Sequence, residues 1–233
     1  MRKQRMGSEY FAQYLLNEGV LSQARAEELL PKTREMDFAA CLLDAGVADR
    51  AGLDALSGRY RQCGLHPVRQ AVRRLSGERT DLEETYYEEF MELFMEELMD
   101  FLKTPAVISL EPVEKGAFSK MGKTHAASQR LTGDLSIVTG IIGRDSYFLE
   151  LAKRYAQEEM DDIDDLAVDS IEEFLNVLNG GYMVRLAKRD LETDLETPRW
   201  GRNVVPHGSR QLAMRICVDF GSFYAVLATD EFI

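Results

Sequence analysis

The apolar residues of the first sixty positions recur with a period of 27. The matching positions are Leu15, Leu16, Gly19, Val20, Ser22 and Leu29 in one copy and Leu42, Leu43, Gly46, Val47, Asp49 and Leu56 in the other. A glycine after an apolar helical run is typical of a helix C-terminus, and a serine or aspartate soon after it is typical of the next N-cap. The repeat therefore predicts two successive helix-turn-helix units.

Residues 59–80 break this pattern. The segment holds six arginines placed among Gly64, Pro67 and Gly77, which predicts a linker with at most one short helix. Two interpretations of the arginines remain open. We favour a solvated connector, and the alternative is a basic face that docks on the acidic remainder of the chain.

The rest of the chain alternates between helical and strand-like patterns. Apolar residues recur at helical spacing over residues 86–103 and stop at Thr104-Pro105, and residues 147–156 predict a second helix. Strand-like runs cover residues 106–110, 131–142, 211–218 and 222–228, the last two flanking Asp219-Phe220-Gly221 as a hairpin. This order predicts an α+β fold in which helices pack on an antiparallel sheet.

The long helix predicted over residues 166–188 carries two distinct faces. A step of about 100° per residue gathers one apolar stripe, formed by Ile171, Phe174, Leu175, Leu178, Tyr182 and Leu186. On the opposite side the same wheel places Asp169, Glu173, Asn176 and Gly180. We therefore expect the apolar stripe to face the sheet and these four residues to face solvent.

The pair Gly180-Gly181 lies inside this helix, where a glycine costs about 1 kcal/mol relative to alanine. One interpretation is that a side chain at Gly180 would block another protein from approaching Asn176. The other is that the helix ends or kinks at this pair. The local sequence does not separate the two.

These residues resemble the CheC/CheX family, which includes the phosphatase-bearing flagellar switch proteins. The family signature is Asp or Ser, three residues, Glu, two residues, Asn, and a distant Pro; here Asp169, Glu173, Asn176 and Pro198 match it. Gly180 also matches, whereas the spacing to Pro198 is one residue short and Gly181 replaces the usual Asn. The resemblance runs from about residue 84 to residue 233 and implies a CheX-like antiparallel sheet with long packed helices.

The resemblance implies an enzyme that removes phosphate from a phosphorylated CheY-like response regulator. Asn176 would position the attacking water, and Glu173 would pair with the active-site lysine of the regulator, both acting as catalytic residues. Asp169 and Gly180 would lie in the partner-binding surface. The Mg²⁺ would come from the partner, this chain would bind no cofactor or metal, and two copies would pair as a homodimer. The alternative is a non-catalytic receiver-binding or scaffold protein of a two-component pathway.

Residues 8–58 are similar to the small N-terminal helical domain of type II secretion ATPases, some of which bind a cyclic dinucleotide. Each copy opens with Arg-Leu-Gly in that family, but with Tyr10-Phe11-Ala12 and Asp37-Phe38-Ala39 here. We therefore favour an interaction or spacer module of four short helices. The predicted organisation is a helical repeat domain at 1–60, a linker at 61–80 and a CheX-like domain at 81–233.

Composition narrows the class of function further. Residues 1–80 carry 13 lysines and arginines against 10 aspartates and glutamates, whereas residues 81–233 carry 15 against 30, so we expect neither nucleic acid nor membrane as a partner. The sequence has no apolar run long enough for a membrane span and no signal peptide, which predicts a cytoplasmic protein. Three scattered cysteines predict reduced thiols, and His66, His125 and His207 are too isolated to predict a metal site.

Overall fold

The computed structural model describes residues 10–77, 84–114 and 116–232. Within them lie the helices α1 (Phe11–Asn17), α2 (Gln23–Leu29), α3 (Phe38–Asp44), α4 (Arg50–Arg61), α5 (Pro67–Ser76), α6 (Glu84–Glu96), α7 (Asp145–Ala156) and α8 (Asp165–Ala187). A 3-10 turn, Leu30–Arg34, follows α2, a second one covers Phe118–Lys120, and a π-helical turn, Glu97–Phe101, extends α6. None of these helices is long and apolar enough to cross a membrane.

Seven strands form one antiparallel sheet. They are β1 (Ala106–Ile108), β2 (Thr124–Gly133), β3 (Ile137–Arg144), β4 (Thr193–Leu195), β5 (Arg199–Arg202), β6 (Gln211–Val218) and β7 (Gly221–Ala228). Their order is β1-β6-β7-β3-β2-β4, and β5 pairs with β2 beside β4. The predicted α+β class is confirmed, including the β6–β7 hairpin. Strands β4 and β5 and residues 124–130 of β2 were not predicted.

The two copies of the N-terminal repeat adopt the same local structure. α1 and α3 are followed by Gly19 and Gly46, each with a positive φ, as are typical of helix C-termini. The side chains of Ser22 and Asp49 then accept hydrogen bonds from backbone N–H groups three residues later, at the start of α2 and α4. The predicted helix-turn-helix repeat is therefore present, with the predicted caps.

The arginine-rich segment forms α5, which packs along α6. Arg73 pairs with Glu88, and an Nη of Arg69 lies 2.7 Å from an Oε of Glu92. Both glutamates are almost fully buried. The favoured interpretation of this segment as a solvated connector was wrong for α5: Arg69 and Arg73 dock on two buried carboxylates of α6 and neutralise charge that is costly in the interior.

A third buried carboxylate, Asp219 in the β6–β7 turn, joins the N-terminal helices to the sheet. Both Nη atoms of Arg154 in α7 contact its carboxylate oxygens, at 2.9 and 3.0 Å. Arg34, in the turn after α2, pairs with the same carboxylate. A bidentate arginine and a second cation therefore neutralise one buried charge.

The apolar core continues across these contacts. One cluster of buried side chains includes Leu15 and Leu42 of the helical repeat, Val72 of α5, Phe94 of α6 and Ile216 of β6. The division into 1–60, 61–80 and 81–233 stays a prediction, and its boundary after residue 80 lies outside the described residues.

The side chain of Gln13, in α1, pairs with the edge strand β1. Its Oε1 accepts from the N–H of Ile108 at 2.7 Å, and its Nε2 donates to the Ile108 carbonyl at 3.2 Å. The Gln13 amide is buried and also donates to Asn17, which in turn donates to the carbonyl of Pro67. Through these bonds α1 covers this end of the sheet.

Candidate functional site

Helix α8 begins and ends within one residue of its predicted bounds, and its apolar face is buried as predicted. The Asp164 side chain accepts from the N–H of Ala167 and caps the N-terminus. The six residues of the predicted apolar stripe are all buried, with Tyr182 donating its hydroxyl hydrogen to the carbonyl of Tyr86 at 3.0 Å. Because this stripe fixes the rotation of the helix, the opposite face is directed away from the core.

An open cleft of about 530 Å³ separates the outer face of α8 from the segment that joins β4 to β5. The residues that line it are Gln129, Asp169, Glu172, Glu173, Asn176, Leu195, Glu196, Thr197 and Pro198. The structure therefore brings together four of the residues that carried the family resemblance, Asp169, Glu173, Asn176 and Pro198. No residue of the N-terminal helices lines this cleft.

Glu173 and Asn176 are both exposed and lie one helical turn apart. The Nδ2 atom of Asn176 is 3.5 Å from an Oε atom of Glu173, at the upper limit of a hydrogen bond. The two polar groups are thus neighbours without being locked to each other. Their placement stands as predicted, while their catalytic role stays a prediction.

Gly180 lies one turn beyond Asn176 on the same face but outside the residues that line the cleft. A Cβ atom built on Gly180 would meet nothing within 4 Å, whereas one on Gly181 would lie 3.2 Å from a methyl group of Leu93 in α6. α8 continues through both glycines to Ala187, so the alternative in which the helix ends there was wrong. Gly181 allows a close approach of two helices, and Gly180 leaves the surface beside Asn176 flat.

The cleft is strongly acidic. Asp169, Glu172, Glu173 and Glu196 line it, and its described lining includes neither lysine nor arginine. Burial, and secondly the charge of Asp169, raise the pKa of Glu172 above its ordinary value. Burial and then the Glu173 carboxylate likewise raise the pKa of Tyr155. Such a concentration of negative charge attracts a cationic group of a partner.

Sequence reasoning missed a row of buried polar groups that leads to Asn176. The row, which we call the amide row, consists of Thr139 on β3, Gln129 on β2, and Asn179 and Asn176 on α8. The Thr139 hydroxyl donates to Asn179 Oδ1 at 2.9 Å, and Asn179 Nδ2 donates to Gln129 Oε1 at 2.8 Å. Gln129 Nε2 then donates to Asn176 Oδ1 at 3.1 Å and to the carbonyl of Glu196 at 2.9 Å.

The three histidines lie in separate parts of the structure. His125 is buried beside Trp200, with its Nε2 3.0 Å from an Oδ of Asp145, and burial lowers its pKa. His66 lies between α5 and α6, and His207 pairs with Glu231 at the surface. Over the described ranges, no three His, Cys, Asp or Glu side chains are grouped so that they could hold a metal ion.

Among known proteins, the matches to this chain are solved structures with a similar fold. No protein-family model matches the sequence, and a search of curated proteins finds no match either. Among solved structures, the chemotaxis protein CheX from Desulfovibrio desulfuricans matches with a TM-score of 0.51 at 13% identity, over 63% of this chain and 99% of that one.

Two further solved structures match this chain to a similar extent. A CheC-like superfamily protein from Shewanella sp. PV-4 matches with a TM-score of 0.53 at 18% identity, over 63% of this chain and 98% of its own. The chemotaxis protein CheX from Vibrio vulnificus matches with a TM-score of 0.52 at 14% identity, over 62% and 98%. At these identities the likeness is one of fold, and at that level it confirms the predicted CheC/CheX resemblance. The similarity of residues 8–58 to secretion ATPases stays a prediction.

Proposed function

We propose that this chain, which shares the fold of CheX and CheC-like proteins, hydrolyses the aspartyl phosphate of a phosphorylated CheY-like response regulator. The observation that carries this proposal is the exposed pair Glu173 and Asn176, which line one open cleft together with Asp169 and Pro198. A protein-sized substrate requires a site of this kind, because its acyl phosphate can reach only groups that project from the surface.

Asn176 is the residue that positions the attacking water. An aspartyl phosphate beside the Mg²⁺ of its own receiver domain needs mainly a water molecule held in line with the bond that breaks. A carboxamide both accepts and donates hydrogen bonds and does so without changing its protonation state. It therefore orients water over the whole pH range in which the receiver is folded.

Glu173 acts as an electrostatic anchor rather than as a base. Its carboxylate is exposed beside Asn176 in a cleft lined by acidic side chains, which is complementary to the active-site lysine of a receiver. Pairing with that lysine aligns the two proteins and withdraws the cation from the phosphate. Asp169 at the rim and the flat surface at Gly180 complete the partner-binding face.

The test follows the loss of phosphate from a phosphorylated receiver incubated with wild type, Asn176→Ala or Glu173→Ala protein. We expect wild type to accelerate the loss and Asn176→Ala to lower kcat by about 100-fold, because the water is no longer held. Glu173→Ala should raise KM by about tenfold and reduce its dependence on salt.

Glu35→Ala is the matched control, since it removes an exposed carboxylate from the N-terminal helical segment. It should leave both kinetic constants unchanged. If wild type fails to accelerate phosphate loss from any of several native receivers yet still binds them, the phosphatase proposal is wrong, and the non-catalytic receiver-binding alternative replaces it.

A further inference from the structure

The amide row is buried everywhere except at Asn176. Thr139 and Asn179 have no exposed surface, and Gln129 has 2% of its surface exposed. Polar side chains are rarely placed so deep unless their hydrogen bonds are satisfied, and here each one has a partner within the row. The row thus connects the interior of the sheet with the floor of the cleft.

A backbone carbonyl fixes the direction in which every amide of the row points. The oxygen of Glu196 can only accept a hydrogen bond, so the group of Gln129 that lies 2.9 Å from it must be the NH₂. Gln129 Oε1 consequently faces Asn179, and Asn179 must present its own NH₂ to it. Reversing any of these amides would bring two acceptors or two donors together.

The same reasoning determines the orientation of Asn176. Gln129 Nε2 donates a hydrogen bond toward the cleft. Asn176 therefore directs its Oδ1 toward Gln129 and its Nδ2 outward, beside Glu173. Without that contact, rotation about the last torsion of an exposed asparagine is nearly free, since its two orientations have similar energies. The contact with Gln129 therefore determines that the NH₂ group of Asn176 faces outward.

We propose that Gln129 and Asn179 are positioning residues that hold the Asn176 carboxamide in one orientation, so that its NH₂ group and one lone pair of its oxygen meet the water that attacks the phosphate. This inference rests on the proposed phosphatase function and specifies how its site is organised. Asn179 has no exposed surface, and Gln129 exposes only 2% of its surface at the floor of the cleft, so both act through Asn176 rather than on the partner directly.

The double variant Gln129→Met/Asn179→Leu tests the proposal. Both replacements keep the approximate shape of the side chain, and together they leave no amide of the pair buried without a partner. We expect kcat for the phosphorylated receiver to fall by about tenfold. KM should stay within about twofold of the wild type, because Gln129 exposes only 2% of its surface to the cleft and Asn179 exposes none.

A second measurement does not depend on activity. Nitrogen-15 relaxation of the Asn176 side-chain amide reports how tightly that group is held, and we expect its order to fall in the double variant. Gln13→Met is the matched control, because Gln13 is an equally buried glutamine at the opposite end of the sheet, bonded to Ile108. It should lower stability and change neither kcat nor the Asn176 amide.

The outcomes separate this inference from the function on which it rests. Unchanged order of the Asn176 amide in the double variant overturns the positioning role, whatever the activity. Lower order with unchanged kcat, or a KM that rises with the loss of kcat, overturns it as well. If wild type itself proves inactive, the phosphatase proposal fails, and the relaxation result alone still decides whether the two amides orient Asn176.

Discussion

Two regions of this molecule use carboxylates in opposite ways. In the first region, the N-terminal helices and α5 meet α6 and the sheet. The carboxylates of Glu88, Glu92 and Asp219 are buried there and paired with arginines. In the cleft on α8, Asp169 and Glu173 are exposed, and within the described part of the chain no lysine or arginine pairs with either.

The difference separates groups that hold the protein together from groups that remain available. A buried carboxylate without its cation is strongly destabilising, so the paired set fixes how the helices sit on the sheet. An exposed carboxylate loses little by being unpaired and keeps its charge for a partner. Substitutions of the two sets should therefore change different properties.

The largest effect is expected when the paired set is broken at Asp219. Asp219→Ala leaves Arg154 without its bidentate partner and Arg34 without its cross-link, so the free energy of unfolding should fall by about 3 kcal/mol. Chemical denaturation measures this. At a temperature where the variant is folded, kcat should match that of wild type.

Asp169→Ala is the counterpart from the unpaired set. Its stability should equal that of wild type, while its affinity for a receiver carrying a stable phosphate mimic should weaken. Equal loss of stability in the Asp219 and Asp169 variants would remove the distinction between the two sets.

Gly180→Ala should separate stability from function within α8. The new methyl group meets nothing within 4 Å, and alanine is favoured over glycine in a helix by up to about 1 kcal/mol, so the variant should be more stable. Its affinity for the phosphorylated receiver should nevertheless fall, because the methyl group lies beside Asn176. Calorimetry and a binding titration measure the two quantities.

Gly181→Ala provides the control for this substitution. There the methyl group would lie 3.2 Å from Leu93, so the packing of α6 must adjust and the gain in stability should be smaller. Receiver affinity should not change. A Gly180→Ala variant that binds as tightly as wild type would exclude Gly180 from the partner-binding face.

The smallest effect concerns the pH dependence of stability and again involves the contact between α5 and α6. Burial between α5 and α6 lowers the pKa of His66 below its ordinary value of 6.5, although the charge of Glu92 opposes the shift. Near and below that pH the unfolded state binds more protons than the folded state. Stability should therefore decrease as the pH falls through 6.5 toward the lower folded pKa.

His66→Phe should remove part of that decrease and keep the ring contact with Tyr10. Part of it should remain, because burial also lowers the pKa of His125. Denaturation curves at several pH values measure the difference. Identical pH profiles for variant and wild type would show that His66 is not a source of acid sensitivity.

The sequence predicted those elements whose signal is local. The bounds and rotation of α8 follow from six apolar residues at helical spacing, and the N-terminal repeat follows from glycines and caps at a fixed period. The exposed line of Asp169, Glu173 and Asn176 was predictable for the same reason. A helical wheel places residues opposite one another without knowledge of the rest of the fold.

The amide row could not be predicted, because it depends on a register between distant segments. Residues 124–130 read Thr-His-Ala-Ala-Ser-Gln-Arg, and all but Arg130 are buried, so their strand lacks the expected alternation of apolar and polar positions. Gln129 meets Asn176 only because β2 pairs with β3 at Thr139 and α8 packs above them. The docking of α5 was anticipated only as the less favoured alternative, since its acidic partners lie on another helix.

The bonds between Gln13 and Ile108 also restrict how copies of this protein can associate. An edge strand normally offers free N–H and C=O groups to any extended chain nearby, but at β1 the glutamine amide already occupies those of Ile108. A homodimer, which remains a prediction, could not pair strands through Ile108 unless these two bonds opened. Shortened chains that lack α1 would present an open template for aggregation.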